Sequence, residues 1–372
     1  MREADTISGA AMSADFVDGL TIHEFSIPES LEAEGGDDFA EMVAMRNAIE
    51  AEILGTDDLD ATAKELLPFY QDAFAPKRLF LARIDGRIVG RGVYEWQLEE
   101  GAPAAFIEVQ VAEPVRRRGV GTSLLRVLEA AAAADGFRVI QSWSSHPPAA
   151  TDDVLVPPTG FGAIDSNSAA ARFARSHGYQ LEQVDRISRI DLPVDSALLA
   201  RRKTDAASHA AGYEVLQWVG SCPEEWLSDM ARLHQRMSTD APMAAIEFAE
   251  EQWDEARVRN LDDMNAAGGR VNLTSAALHR EPNRLVGFTD LALPEVEGRP
   301  AGQGDTLVLK EHRGHRLGTL LKVANLELLM RVSPATPRVT TYNAEENRPM
   351  LDVNEAVGFV PVGYEAAWKK TV

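Results

Sequence analysis

The chain has 372 residues, 37 Lys and Arg against 58 Asp and Glu, a net charge of −21, one cysteine and 45% hydrophobic residues. That apolar share excludes disorder and fibre, the length suggests two domains, and the lone Cys222 excludes an internal disulfide and a cysteine-rich metal site. So negative a chain repels nucleic acid, and no apolar run in it reaches membrane-spanning length; the expectation is a cytoplasmic protein, its charge chiefly keeping it in solution, with a cationic small molecule or peptide as the sharper alternative that an acidic surface would favour.

Residues 1–17 are small and polar and are expected to form a disordered leader. A strand is expected at 20–25, helices at 39–52 and 61–71, and strands at 78–84 and 87–98 joined by the hairpin dipeptide Asp85-Gly86. A strand at 105–111 runs through a glycine-containing turn into a helix at 122–134, and a strand follows at 137–143. A Pro/Asp-rich loop, 146–162, leads to a helix at 167–177 that Gly178 stops, and then to a strand.

The second half repeats this order. A strand is expected at 213–218, helices at 223–237 and 253–267, and strands at 270–279, 284–292 and 306–309. A glycine turn, 313–318, opens a helix to Val332, followed by a strand at 338–342 and a helix at 347–356. Asn167 to Gly178 and Asn347 to Gly358 both span eleven positions, and an aromatic, Tyr179 or Phe359, comes next in each. The surplus length of the first copy falls in the loop 146–162, where an insertion is cheap. The reading is a leader at 1–17, a first domain at 18–193, a linking helix within 194–211 and a second domain at 212–372.

The chemistry-bearing element is the strand 105–111 running into Arg116-Arg117-Arg118-Gly119-Val120-Gly121. The first N–H groups of a helix lack intrahelical acceptors, glycines let a ligand approach the backbone, and the helix dipole favours negative charge. The turn therefore suits a pyrophosphate, with a ligand-free strand-to-helix turn as the plainer alternative. A dinucleotide site is set aside, because Leu124 stands where the third glycine of that pattern belongs and the strand ending in Gln141-Ser142-Trp143 offers no acid for a ribose. His312 and His315 have no third ligand nearby for zinc, His146 is a loop residue that serves as base or lid or is simply solvated, and Trp218, Trp226 and Trp253 fill the second core. No nucleophile-elbow pattern occurs, which argues against a covalent acyl-enzyme.

Arg116-x-x-Gly119-x-Gly121 after a strand, an Asn opening a later helix, and Gly-aromatic eleven positions on together resemble the GNAT superfamily of acyl-CoA-dependent N-acyltransferases. The resemblance covers most of 20–193 and 212–372, as two copies, an arrangement similar to actinobacterial tandem members of the mycothiol synthase type. It implies an α/β (α+β) fold of two tandem GNAT-like domains, each a mixed, mostly antiparallel sheet flanked by helices. It also implies acetyl-CoA as coenzyme and direct acyl transfer, in a ternary complex, to a primary amine of a small molecule or peptide, without nucleic acid or membrane; a homodimer stays open. Coenzyme contacts carry over to Val111, Arg116, Arg117, Arg118, Gly119, Val120, Gly121, Thr122 and Asn167, and in the second copy to Val308, Arg313, Gly314, His315, Arg316, Leu317, Gly318 and Asn347. The second copy departs from the pattern at Arg316, which replaces the first glycine and either pairs with a phosphate or blocks the approach. The first half is expected to be the stronger site.

Acyl transfer to an amine needs the ammonium deprotonated. Glu108 lies eight residues before Arg116 and Asp305 eight before Arg313, so each is the candidate base of its copy, with a solvated strand face as the plainer reading. The family's frequent acid, a Tyr seven residues after the helix-opening Asn, is here Ala174 or Asn354. Tyr342, at the end of a strand near the second turn, is the substitute donor, with a buried structural Tyr as its plainer reading. The rivals are a non-catalytic acyl-CoA sensor or scaffold, and a pair with one active and one degenerate domain.

Overall fold

The computed structural model describes residues 18–372; the expected leader lies outside the described residues. The first half runs β1 (Leu20–Phe25), α1 (Gly36–Leu54), α2 (Ala63–Tyr70), β2 (Lys77–Ile84), β3 (Arg87–Trp96), β4 (Ala104–Val111), α3 (Val120–Ala134), β5 (Val139–His146), the short pair β6 (Val154–Leu155) and β7 (Ile164–Asp165), α4 (Ala169–Ser176) and β8 (Gln180–Asp191). After α5 (Ser196–Ala207) come β9 (Tyr213–Val219), α6 (Leu227–Asp240), α7 (Glu255–Ala267), β10 (Arg270–His279), β11 (Arg284–Pro294), β12 (Ala301–Val308), α8 (Leu317–Val332), β13 (Arg338–Ala344), α9 (Arg348–Val357) and β14 (Val360–Thr371). The order repeats as the spacing predicts.

Local chemistry sets several boundaries. Helix α1 starts earlier than its apolar periodicity suggests, because Gly35 takes a left-handed φ of 87° and Gly36 lies where a Cβ would sit 1.9 Å from the Leu31 carbonyl oxygen. Helix α4 is capped by Ser168, whose hydroxyl accepts from the Ala171 N–H, rather than opened by Asn167. Asn347 does cap α9. Strand β5 continues to His146, so that residue is a buried strand residue, not part of the loop.

The two halves share one sheet, ordered β1-β2-β3-β4-β5-β14-β8-β13-β12-β11-β10-β9. The last strands are exchanged: β14 of the second half pairs with β5, β8 of the first half pairs with β13, and the two lie side by side. Exchange gives β5 and β13 partners on both sides, leaving only β1 and β9 as edges among the described residues of this sheet. The cores follow the pairing. Ala366 and Trp368 of β14 pack with Tyr94, Leu124, Leu128 and Ile140 of the first half, while Ile190 of β8 packs with Leu291, Val323 and Val339 of the second. Alternation along β4 sends Ala105 and Ile107 to α3 and turns Glu108 and Gln110 toward α1.

Two places break the ladder. Strands β4 and β5 are parallel neighbours only from Ala104–Val139 to Ile107–Ser142, and β12 and β13 only at Ala301–Val339 and Gly302–Thr340. Beyond those rungs the strands diverge, and the backbone of Glu108–Val111 faces a gap on its β5 side.

Candidate active site

In the first half the gap opens beside the start of α3. Arg117 (φ 62°) and Gly119 (φ 89°) both adopt left-handed backbone, and the first rung of the helix runs from Ser123 N–H to the Gly119 carbonyl at 3.0 Å. The N–H groups of Val120, Gly121 and Thr122 thus have no intrahelical acceptor and point out of the helix end. Arg117, Arg118 and Gly119 are exposed, and the side chain of Val120 anchors the turn in the core. Helix α4 backs the turn: a Cβ on Gly121 would meet the Phe173 ring at 3.3 Å, and Thr122 Oγ1 lies 3.1 Å from His177 Nε2. Oriented donors, a helix dipole and exposed guanidinium groups are an arrangement with the chemistry to receive an anion.

Arg116 holds the turn in place. Its Nε donates to the Val111 carbonyl at 2.8 Å, and its guanidinium is bidentate to Glu52 at the end of α1 at 2.6 and 2.7 Å. Arg313 does the same in the second half, donating to the Val308 carbonyl at 3.1 Å and pairing with Asp240 at the end of α6. Asn167 is exposed and donates to Asp153 at 2.8 Å.

The second turn differs in its surroundings. Gly314 and Arg316 are left-handed, Leu317 is buried and a Cβ on Gly318 would meet only a Val353 methyl at 4.0 Å, so the backbone shape is kept. The Arg316 guanidinium, however, pairs with Asp205 of α5, and His315 Nδ1 lies 3.1 Å from the His209 carbonyl. A carboxylate fixed beside a helix start works against an anion there. His312 bonds the Tyr213 hydroxyl at 2.9 Å, and no group of metal-ligating side chains forms among the described residues.

On the α1 face the gap of the first half is lined by a continuous polar network. Arg91 of β3, buried, reaches Glu108 Oε2 at 2.6 Å, Gln110 Oε1 at 2.8 Å and the Tyr70 hydroxyl at 2.5 Å. Glu50 of α1 accepts from Gln110 Nε2 at 2.6 Å and from Ser145 Oγ at 2.9 Å, bridging β4 and β5 across the gap. Glu108 is half-exposed and keeps one oxygen free of Arg91. Tyr342, on β13, is exposed over part of its side chain rather than buried as a whole, and desolvation of its hydroxyl, followed by Glu365 and Glu50, raises that group above the usual phenol range. Neither Arg91 nor Glu50 carries a signal in the sequence beyond strand or helix periodicity, so the network was invisible there.

In the second half Asp305 lies 3.6 Å from His234 Nδ1 of α6, and His234 stacks on Trp253 at 4.5 Å. Burial, then Asp305, raises Asp290 beside it, and burial lowers Lys322 of α8 to about 7. His146 is buried against Ser144 at 2.9 Å, and burial pushes its imidazole down to about 4, which suits a neutral structural residue better than a lid. Trp218, Trp226 and Trp253 pack against the second core.

Two α/β units with split parallel strands, each facing the N-terminus of the following helix, define a tandem GNAT architecture. Residues 47–151 match the acetyltransferase (GNAT) family. No curated protein matches the chain in sequence. Among solved structures it is similar to a tandem GNAT protein from the clavulanic acid biosynthesis pathway, 24% identical, with a TM-score of 0.71 over 95% of this chain and 98% of that one. It is also similar to a GCN5-related N-acetyltransferase from Sphaerobacter thermophilus (14% identity, TM-score 0.61, 96% of each chain). A third likeness is to the glucosamine N-acetyltransferase region of a fungal multi-domain β-N-acetylglucosaminidase (15% identity, TM-score 0.59), which covers 99% of this chain and 39% of that one. These likenesses show the fold. No helix of the described residues is long and apolar enough to cross a membrane.

Proposed function

We propose that the chain is an acyl-CoA-dependent N-acyltransferase whose first half binds acetyl-CoA and passes the acyl group directly to a primary amine of a small molecule or peptide. The observation that supports this is the coincidence of two features: β4 and β5 separate after Ile107, and α3 opens just beyond the end of β4 with N–H groups that have no intrahelical acceptor. The N–H groups of Val120, Gly121 and Thr122, with Arg117 and Arg118, would hold the pyrophosphate, and the unpaired edge of β4 would hold the pantetheine arm. The bound thioester supplies an activated acyl group. The chain's own contribution is to align it, to offer a backbone N–H to its carbonyl, and to accept the ammonium proton on the α1 face. The Arg316–Asp205 pair supports a second half without a working coenzyme site.

Calorimetric titration with acetyl-CoA tests this. The reading expects one site per chain. The double variant Arg117→Glu/Arg118→Glu, at exposed positions outside the core, should weaken binding at least about tenfold at low salt and less at 0.5 M, because these charges are screened. Absence of binding by the unaltered protein, or an affinity indifferent to both reversals, rejects it.

A further inference from the structure

Glu365 lies on β14, the strand that the second half lends to the first half's sheet. Across the ladder it faces Ser145 of β5 and Asp185 of β8. Directly opposed residues project from one face, and that face is α1's, since Ser145 donates to Glu50. Past Ser142, β5 has lost β4, so Glu365 stands one strand spacing, about 4.8 Å, from the rim of the gap. Among the described residues no hydrogen bond or ion pair engages its carboxyl group, whereas Glu108 is bound by Arg91, and Glu50 by Gln110 and Ser145.

The groups facing Glu365 are Arg46 and Glu50 of α1, Glu108 of β4, Asp185 of β8 and Tyr342 of β13. Asp185 in turn faces Glu345 and Glu346, and its Oδ1 is sealed from solvent without a partner among the described residues. Arg46 donates one guanidinium nitrogen to Asn47 Oδ1 and the Leu59 carbonyl, and is one cation among several carboxyl groups. Burial, then Asp185, Glu50 and Glu108, raises Glu365 to about 8. The pocket is short of positive charge. Two positions along the same face, Phe106 and Trp143 stack with Phe248 at ring separations of 4.8 to 6.1 Å. Phe248 belongs to the α6–α7 connection of the second half, strapped to the first half's sheet by Gln141 bonds to Glu247 at 2.6 and 2.9 Å.

We propose that Glu365 is the proton acceptor of the first half's site, so that the second half completes this centre, and that the acceptor is a primary ammonium carried on an apolar or aromatic body. The proposal rests on the acyltransferase reading. The ammonium gives one proton to Glu365, and the freed nitrogen lone pair forms the C–N bond to the acyl carbon as the C–S bond breaks. The departing thiolate takes the second nitrogen proton and leaves as the thiol; Glu365 returns its proton to water.

The test uses the full chain and 2-phenylethylamine as probe. Titrated into protein saturated with coenzyme A at pH 7, in buffers of different ionisation enthalpy, the amine should release close to ~1 proton per molecule bound, because the ammonium forces Glu365 to ionise. Glu365→Gln should abolish that release, lower turnover with acetyl-CoA about a hundredfold and remove the rise in kcat/KM toward pH 8. Its acetyl-CoA affinity should be unchanged, and Glu365→Asp should recover part of each effect. Equal proton release or an equal pH profile in Glu365→Gln, or no amine binding at millimolar concentration, overturns the proposal. Failure of the unaltered protein to bind acetyl-CoA overturns the acyltransferase reading instead.

Discussion

Trp368 offers the sharpest test of the exchanged architecture. It lies near the end of the chain, in the second half by sequence, yet it is 1% exposed within the first half's core and its Nε1 donates to Ser144 Oγ at 2.8 Å. Trp368→Ala removes the largest fully buried side chain among the described residues and leaves a cavity in the core that holds Tyr94, Leu128 and Ile140. Such truncations cost about 3–5 kcal/mol, a fifth or more of an ordinary domain's stability of about 5–15 kcal/mol. With a urea dependence of about 2–3 kcal/mol/M, the midpoint should fall by about 1–2.5 M. Urea unfolding followed by circular dichroism gives the midpoint, and acetyl-CoA titration reports on the first half. A midpoint shift below about 0.3 M would refute the placement of β14. So would a variant whose second half loosens while coenzyme binding by the first survives unchanged.

Two further predictions concern stability. Gly36→Ala should lose about 3 kcal/mol in thermal unfolding, because its Cβ would be forced to 1.9 Å from the Leu31 carbonyl oxygen, backbone that cannot rotate away; a variant that melts like the unaltered protein contradicts the close approach. Lys322, lowered from 10.5 to about 7 by burial, releases its proton on folding between those values. The unfolded chain therefore binds more protons in that window, and the contribution of this group makes stability rise with pH across it. Lys322→Met should raise the melting temperature at pH 7 and flatten that slope, and an unchanged slope would argue against the buried amine.

Much of the fold was legible because it is local. Gly119, Gly178 and Gly358 sit at left-handed positions that the turn chemistry demands, and helix α3 carries Leu124, Leu125 and Leu128 inward as its periodicity predicts. Duplication was legible from equal spacings, and the strand-turn-helix run around Arg116 was placed correctly in outline. The role of Arg116 was not, because its partners, the Val111 carbonyl and Glu52, come together only when α1 lies beside the end of β4. His146 shows the same limit: a Pro/Asp-rich stretch reads as loop from its first residue, whereas pairing with Tyr364 extends the strand and buries the imidazole.

The amino-acid sequence by itself determined the two α/β units, their element order and the glycine-bearing turns, since backbone conformation and amphipathic periodicity act over a few residues. Tertiary structure alone decided which strand pairs with which. β8 and β14 present equivalent backbone ladders, and nothing within either strand states that each completes the other half's sheet. That long-range pairing carries Glu365 and Tyr342 toward the first half's gap and sets Arg316 against Asp205 beside the second turn. Hydrogen-bond geometry along a strand is the same for any partner, so the choice rests on packing summed over the whole molecule.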